Sequence, residues 1–203
     1  VAAALALLFP MTTFGKVVIH EIHYNPEERG QPLEFIELYN CGDAVADLSG
    51  WRFDEGIDYT FPNATTLSPG KLLVVAENPK FLTEFYGTTA LGPWVGKLSN
   101  GGETLTLRDA AGKKVDTVDY GVGFPWPTAA AGGGASMELI HPELDNDLGG
   151  SWRSSMPSTS RTDEATKVFV DAASREWRYF KGLREPPRDW RSVAFNSSRW
   201  TRA

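Results

Sequence analysis

The stretch VVIHEIHY, residues Val17–Tyr24, opens a series of short extended segments that decide the fold. Its apolar residues alternate with polar ones, which is the pattern of a strand with one buried face. Regular alternation places His20 on the same face as Ile22 and Tyr24. We therefore predict a first β-strand here, and we expect it to end at Pro26.

Further extended segments follow at short intervals. They are separated by turn residues and comprise Glu34–Asn40, Asp58–Phe61, Lys71–Ala76, Glu103–Arg108, Lys114–Tyr120 and Ser136–His141. After its lysine, Lys71–Ala76 is continuously apolar, which is typical of a strand buried on both faces. In Glu103–Arg108, alternation predicts that the two leucines face inward and that Thr104 and Thr106 face outward.

One segment, Pro79–Tyr86, has a helical pattern. Its proline suits the first helical position and Gly87 suits the end, while Phe81, Leu82 and Phe85 fall on one stripe. The other segments are short strands with little helix between them. We therefore predict an all-β fold in which two sheets pack as a sandwich.

Composition excludes several kinds of site. Cys41 is the only cysteine of the 203 residues, which rules out a Cys₄ zinc site and an internal disulfide framework. Residues 1–160 carry 10 Lys and Arg against 20 Asp and Glu. Because this acidic excess repels phosphates, we expect no nucleic-acid partner.

The ends of the chain differ from its middle. Residues 1–15 open with the apolar run Val1–Phe9, which is too short to span a bilayer and is typical of a truncated signal peptide, with a buried first strand or helix as the alternative. Residues 156–170 are polar and predict a linker. Residues 171–203 are rich in aromatic residues and predict the start of a second, incomplete β domain. The remaining residues, 16–155, are predicted to form the sandwich.

The motifs of residues 16–155, taken in order, resemble a bacterial lamin-tail domain. They are Glu21-Ile-His-Tyr-Asn-Pro26, Glu34-Phe-Ile-Glu-Leu38 with Asn40, Asp47-Leu-Ser-Gly-Trp51, Leu67-Ser-Pro-Gly70, Leu98-Ser-Asn-Gly101 with Glu103, Asp116-Thr-Val-Asp-Tyr120, Trp126-Pro127, Ser136-Met-Glu-Leu139, Asp145-Asn146 and Ser151-Trp152. The resemblance implies an immunoglobulin-like β-sandwich, which in bacteria accompanies exported, multidomain proteins. It supplies no catalytic residues. Separately, Trp177–Trp200 is similar to the start of a galactose-binding-like domain.

Acidic and imidazole side chains give no assembled catalytic set. Glu34 and Glu37 stand three apart in an extended segment, so they face opposite sides, and we expect Glu37 on a solvated face. The same alternation places His20 and His23 on opposite faces of their strand, which disfavours a shared metal site. We predict no catalytic residue and no cofactor.

Two loops carry candidate binding residues. Trp126 lies between two prolines and is the candidate for stacking on a sugar, with core packing as the alternative. Asp145 and Asp147 flank Asn146 and offer the oxygen ligands that Ca²⁺ prefers, with a turn as the alternative.

The resulting hypothesis is a non-catalytic interaction module of an exported bacterial protein, located outside the cytoplasm or at the cell surface. Its expected partner is a protein or a surface carbohydrate, and the mature chain is expected to have no transmembrane segment. The alternative is the N-terminal fragment of a larger exported enzyme, a hydrolase or a spore-coat-type kinase. A nucleic-acid-binding domain is disfavoured by the charge.

Overall fold

A computed structural model describes most of the predicted sandwich. The described residues are 16–26 and 30–155, together with Arg178, Tyr179, Asn196, Ser198, Thr201 and Arg202. The predicted signal peptide (1–15) and linker (156–170) lie outside these residues, as does most of the predicted second domain (171–203). Those assignments remain predictions.

The described chain is built from short strands and one α-helix. In chain order they are β1 (Val17–His23), β2 (Phe35–Asn40), β3 (Ala46–Asp47), β4 (Arg52–Glu55), β5 (Tyr59–Thr60), β6 (Thr66–Leu67), β7 (Leu72–Ala76), α1 (Pro79–Tyr86), β8 (Glu103–Arg108), β9 (Lys114–Tyr120), β10 (Met137–Leu139), β11 (Trp152–Ser154), β12 (Arg178–Tyr179) and β13 (Thr201–Arg202).

Two antiparallel sheets form the sandwich. The first has the order β11-β10-β1-β2-β7 and the second the order β5-β4-β8-β9. Side chains from both sheets make one main core, in which Ile19, Ile36, Phe53, Leu105 and Val118 are fully buried. The predicted all-β, immunoglobulin-like sandwich is confirmed. The strands β3 and β6 pair separately, as do β12 and β13.

A β-bulge at His20 changes the expected faces of β1. Ile19 pairs with Leu38 and Glu21 with Glu37, so His20 is an extra residue without a partner in β2. Beyond the bulge, Ile22 pairs with Ile36 and is fully buried. The prediction that His20 shares the face of Ile22 is therefore wrong, because alternation fails where one residue is inserted.

The first sheet is also covered on part of its outer face, by α1. The predicted helix is confirmed: the side chain of Asn78 accepts from the N–H of Phe81, and Gly87 ends the helix with a φ of 71°. Leu82 packs in a second small core with residues of β7. The predicted stripe is only partly buried, because Phe85 is 51% exposed.

Two strand predictions have different outcomes. Thr106 faces away from the core residues Leu105 and Leu107, as predicted, but it is buried because the side chains of Glu55 and Thr117 on the neighbouring strands lie against its hydroxyl. In β7, Val75 and Ala76 are buried as expected. Leu72, however, is exposed at the start of the strand.

Asn40 holds the first turn after β2. Its side chain is fully buried, donates to the carbonyls of Ala44 and Leu67 at 2.8 Å each, and accepts from the N–H of Gly42 at 3.0 Å. One amide therefore satisfies three backbone groups, two from the loop after β2 and one from strand β6.

We predict that Asn40→Ala lowers the free energy of unfolding by about 3 kcal/mol, because it leaves buried backbone groups without partners. Urea denaturation monitored by tryptophan fluorescence measures this change. The control is Asn63→Ala at an exposed turn position, for which we expect a change within about 0.5 kcal/mol. Equal effects of the two substitutions would contradict the role of Asn40.

Candidate functional site

A cavity of about 520 Å³ lies at one end of the sandwich. Small-molecule sites have volumes of about 300–1,000 Å³, so this cavity is large enough for a ligand. It is lined mainly by polar residues, namely Tyr24, Asn25, Pro26, Gly30, Gln31, Glu34, Lys97, Leu98 and Asn100.

Three chain segments meet at the cavity. Residues 24–26 leave β1, residues 30–34 enter β2, and residues 97–100 precede β8. The last segment is fixed by Ser99, whose N–H donates to Glu103 at 2.6 Å and whose carbonyl accepts from the Tyr120 hydroxyl at 2.8 Å. The cavity wall therefore rests on the sandwich core.

Glu34 is the buried acid of the cavity. It is 6% exposed, and one carboxyl oxygen accepts from the N–H of Leu98 at 2.8 Å. Burial raises the pKa of Glu34 to about 7, the charges of Glu77 and Glu103 act in the same direction, and Leu98 and Lys97 oppose them. Near pH 7 the protonated and the deprotonated form of this carboxyl are therefore both populated.

Lys97 lies at the rim of the cavity. Its ammonium group pairs with Glu77 at 2.9 Å, and this hydrogen bond raises the pKa of Lys97. Because that cation is already paired, the carboxylate of Glu34 has no cation in direct contact among the described residues.

Tyr24 forms the inner wall. Its ring stacks on Tyr120 with centroids 5.0 Å apart, and burial raises the pKa of both hydroxyls. Within the described part of the chain, the enclosed Tyr24 hydroxyl has no hydrogen-bond partner. Tyr24, supported by Tyr120, therefore forms the floor of the cavity.

Sequence reasoning did not place these residues together. The alternation of side chains along a strand correctly placed Glu34 and Glu37 on opposite faces, but it did not indicate that Glu34 is buried against Leu98. The available signal was that Tyr24-Asn25-Pro26, Glu34 and Leu98-Ser-Asn all belong to the motifs that resemble the lamin-tail domain. These motifs, which are far apart in the chain, converge on the cavity.

Trp126 lies away from this cavity. Its ring is half-buried and contacts Trp152, with centroids 6.2 Å apart. Glycines border it closely, because a Cβ added at Gly121 or Gly149 would meet Trp126 at 2.8 Å. This environment is one of packing, and sugar stacking by Trp126 remains a prediction without a test.

Asp145 and Asp147 bind backbone groups. Asp145 accepts from the N–H of Asp147 at 3.1 Å in an Asx turn, and Asp147 accepts from the N–H of Asp119 on strand β9 at 3.1 Å. Asn146 donates to Asp116. Within residues 16–26 and 30–155, no three His, Cys, Asp or Glu side chains are grouped to hold a metal ion. Calcium binding by Asp145 and Asp147 remains a prediction.

The outer face of the first sheet carries a row of charges. Glu21 pairs in register with Glu37 and with Glu138, and Glu138 forms an ion pair with Arg153 at 2.9 Å. Burial raises the pKa of Glu21 to about 7. Glu37 is not on a solvated face as predicted, because it is 12% exposed and contacts His20 at 3.0 Å.

His23 is the buried imidazole. It is 3% exposed and packs edge-on against Phe35, since the bulge turns it toward the face covered by α1. Burial lowers the pKa of His23 to about 4, although the Gly134 backbone acts in the opposite direction. His20 and His23 thus lie in separate environments.

Comparison with protein-family models identifies the family of this sandwich. Residues 10–122, more than half of the chain, match the family model described as Lamin Tail Domain. No curated protein matches the chain. Among the described residues, no helix combines the length and the apolar character that crossing a bilayer requires.

We predict that Glu34 makes the protein less stable as the pH rises from 4.5 toward 7. The folded state holds the proton up to about pH 7 while the unfolded state releases it near 4.5, so folding is favoured below this window. Glu34→Gln keeps an acceptor for the N–H of Leu98 but cannot titrate. The variant should therefore lose about 1–2 kcal/mol less unfolding free energy than wild type over this pH range, which is smaller than the full pKa difference would give because the carboxyl borders the open cavity.

The measurement is urea denaturation of wild type and variant at several pH values between 4.5 and 7.5. Only the difference between the two proteins is interpreted, because Glu21 and His23 also titrate in this region. The control, Glu84→Gln, removes one charge at an exposed position of α1. If the unfolding free energies of wild type and Glu34→Gln change with pH by the same amount, the carboxyl of Glu34 is not buried as described.

Proposed function

Because the chain belongs to the lamin tail domain family, whose immunoglobulin-like fold is non-catalytic, we propose that it is an interaction module. The proposed partner is a glycan of the bacterial surface, bound at the cavity end of the sandwich. The observation that carries the proposal is the cavity of about 520 Å³, in which polar side chains outnumber apolar ones.

The side chains of the cavity suit a polyhydroxyl ligand. Asn25, Gln31 and Asn100 each offer both a donor and an acceptor, as sugar hydroxyl groups do. The rim is accessible, since Gln31, Lys97 and Asn100 are exposed.

Export and a multidomain host belong to the same proposal. They are supported by the apolar run Val1–Phe9, by the polar segment 156–170 and by the resemblance of Trp177–Trp200 to a second sandwich. In such a host this module would hold a neighbouring domain close to the cell surface.

We predict that the 203-residue chain co-sediments with isolated bacterial cell walls. Asn100→Ala should weaken this binding about tenfold, because it removes an amide from the cavity rim. Asn63→Ala, an exposed turn position outside the cavity, should bind as wild type does.

Protease treatment of the walls separates the two classes of partner. Binding that survives removal of wall proteins supports a glycan, whereas binding lost with those proteins assigns the module to a protein partner. If wild type and Asn100→Ala sediment equally, the cavity is not the binding site and the proposal fails.

A further inference from the structure

The cavity combines several uncharged polar groups with an acid that contacts no cation among the described residues. Glu34 is 6% exposed, and within residues 16–26 and 30–155 its side chain accepts one hydrogen bond, from the N–H of Leu98. Buried charges in proteins are normally paired. The nearby cation, Lys97, already pairs with Glu77, so the carboxylate of Glu34 is open to a cation from a ligand.

The charges that face Glu34 from neighbouring elements favour the same ligand. Glu77 follows β7, Glu103 opens β8, and both act on Glu34, while Lys97 is the opposing cation. Among the described residues around Glu34, the balance of charge is therefore negative. A ligand that carries a carboxylate or a phosphate would be repelled, and one that carries an ammonium group would be attracted.

The uncharged groups distinguish between two sources of an ammonium group. A lysine side chain would reach Glu34 with an apolar stem and would leave the amides of Asn25, Gln31 and Asn100 without ligand partners. An amino sugar presents its ammonium group beside several hydroxyls, each of which both donates and accepts.

We propose that the cavity binds a glycan residue with a free, protonated amine, and that Glu34 is the residue that determines this specificity. The inference rests on the proposed function and names its ligand class. The ammonium group lies against the carboxylate of Glu34, and the sugar hydroxyls pair with the three amides. The ring of Tyr24, stacked on Tyr120, forms the floor of this site.

The test uses isothermal titration calorimetry on the full chain at pH 7, with glucosamine, N-acetylglucosamine and glucuronic acid as probes. We expect glucosamine to bind at least tenfold more tightly than its acetylated form, and we expect no binding of glucuronic acid. Glu34→Gln should abolish the difference between the first two probes, whereas Glu84→Gln should preserve it. Circular dichroism verifies that both variants are folded.

The pH dependence gives a second readout. Between pH 5.5 and 7 the amine of glucosamine stays largely protonated while the deprotonated fraction of Glu34 rises from a few per cent toward about one half, so affinity should rise with pH in wild type and stay flat in Glu34→Gln. Equal affinity for glucosamine and N-acetylglucosamine would overturn the inference. So would tighter binding of a blocked lysine, Nα-acetyl-lysine methylamide.

Chemical N-acetylation of the isolated walls separates this inference from the proposed function. If acetylation abolishes co-sedimentation, both hold. If acetylated walls still bind in a manner that depends on Asn100, the module binds glycans but not through an amine, and only the inference fails. If untreated walls do not bind, the proposed function fails.

Discussion

The hydrogen bond from the backbone N–H of Ile19 to the carboxylate of Asp116, at 2.7 Å, is the constraint on which the sandwich depends. The bulge at His20 interrupts the pairing of β1 with β2, and Asp116 on the opposite sheet takes up the N–H beside it. Asn146 donates to the same carboxylate, and the carbonyl of Asn146 accepts from the indole of Trp152. One half-buried acid thus links both sheets and the loop before β11, and these hydrogen bonds offset the cost of its partial burial.

The bulge also decides what each face of the first sheet contains. Because one residue is inserted, Ile19 and Ile22 both enter the main core, while Glu21 and His23 lie on the outer face. There His23 is buried beside Phe35, and Glu21 joins Glu37 and Glu138 in a row that Arg153 ends. These acids lie side by side across the outer face of the sheet.

Local patterns predicted the elements well. The helix followed from the proline at its start and the glycine at its end, and the strands followed from alternation. The patterns did not predict burial where a contact distant in sequence decides it: Thr106 faces outward but is covered by Glu55, and Glu37 is covered by His20. The candidate site was missed for the same reason, since Glu34 and Leu98 are adjacent only in the folded chain.

The sequence alone determined the fold class, the family resemblance and the acidic character of the sandwich, because these depend on periodicity, motif order and composition. Tertiary structure alone decided the bulge at His20, the burial of Glu34 and His23, and the cavity between three loops. The physical reason is that the pKa and solvation of a side chain depend on which distant groups surround it, and no local pattern encodes those neighbours.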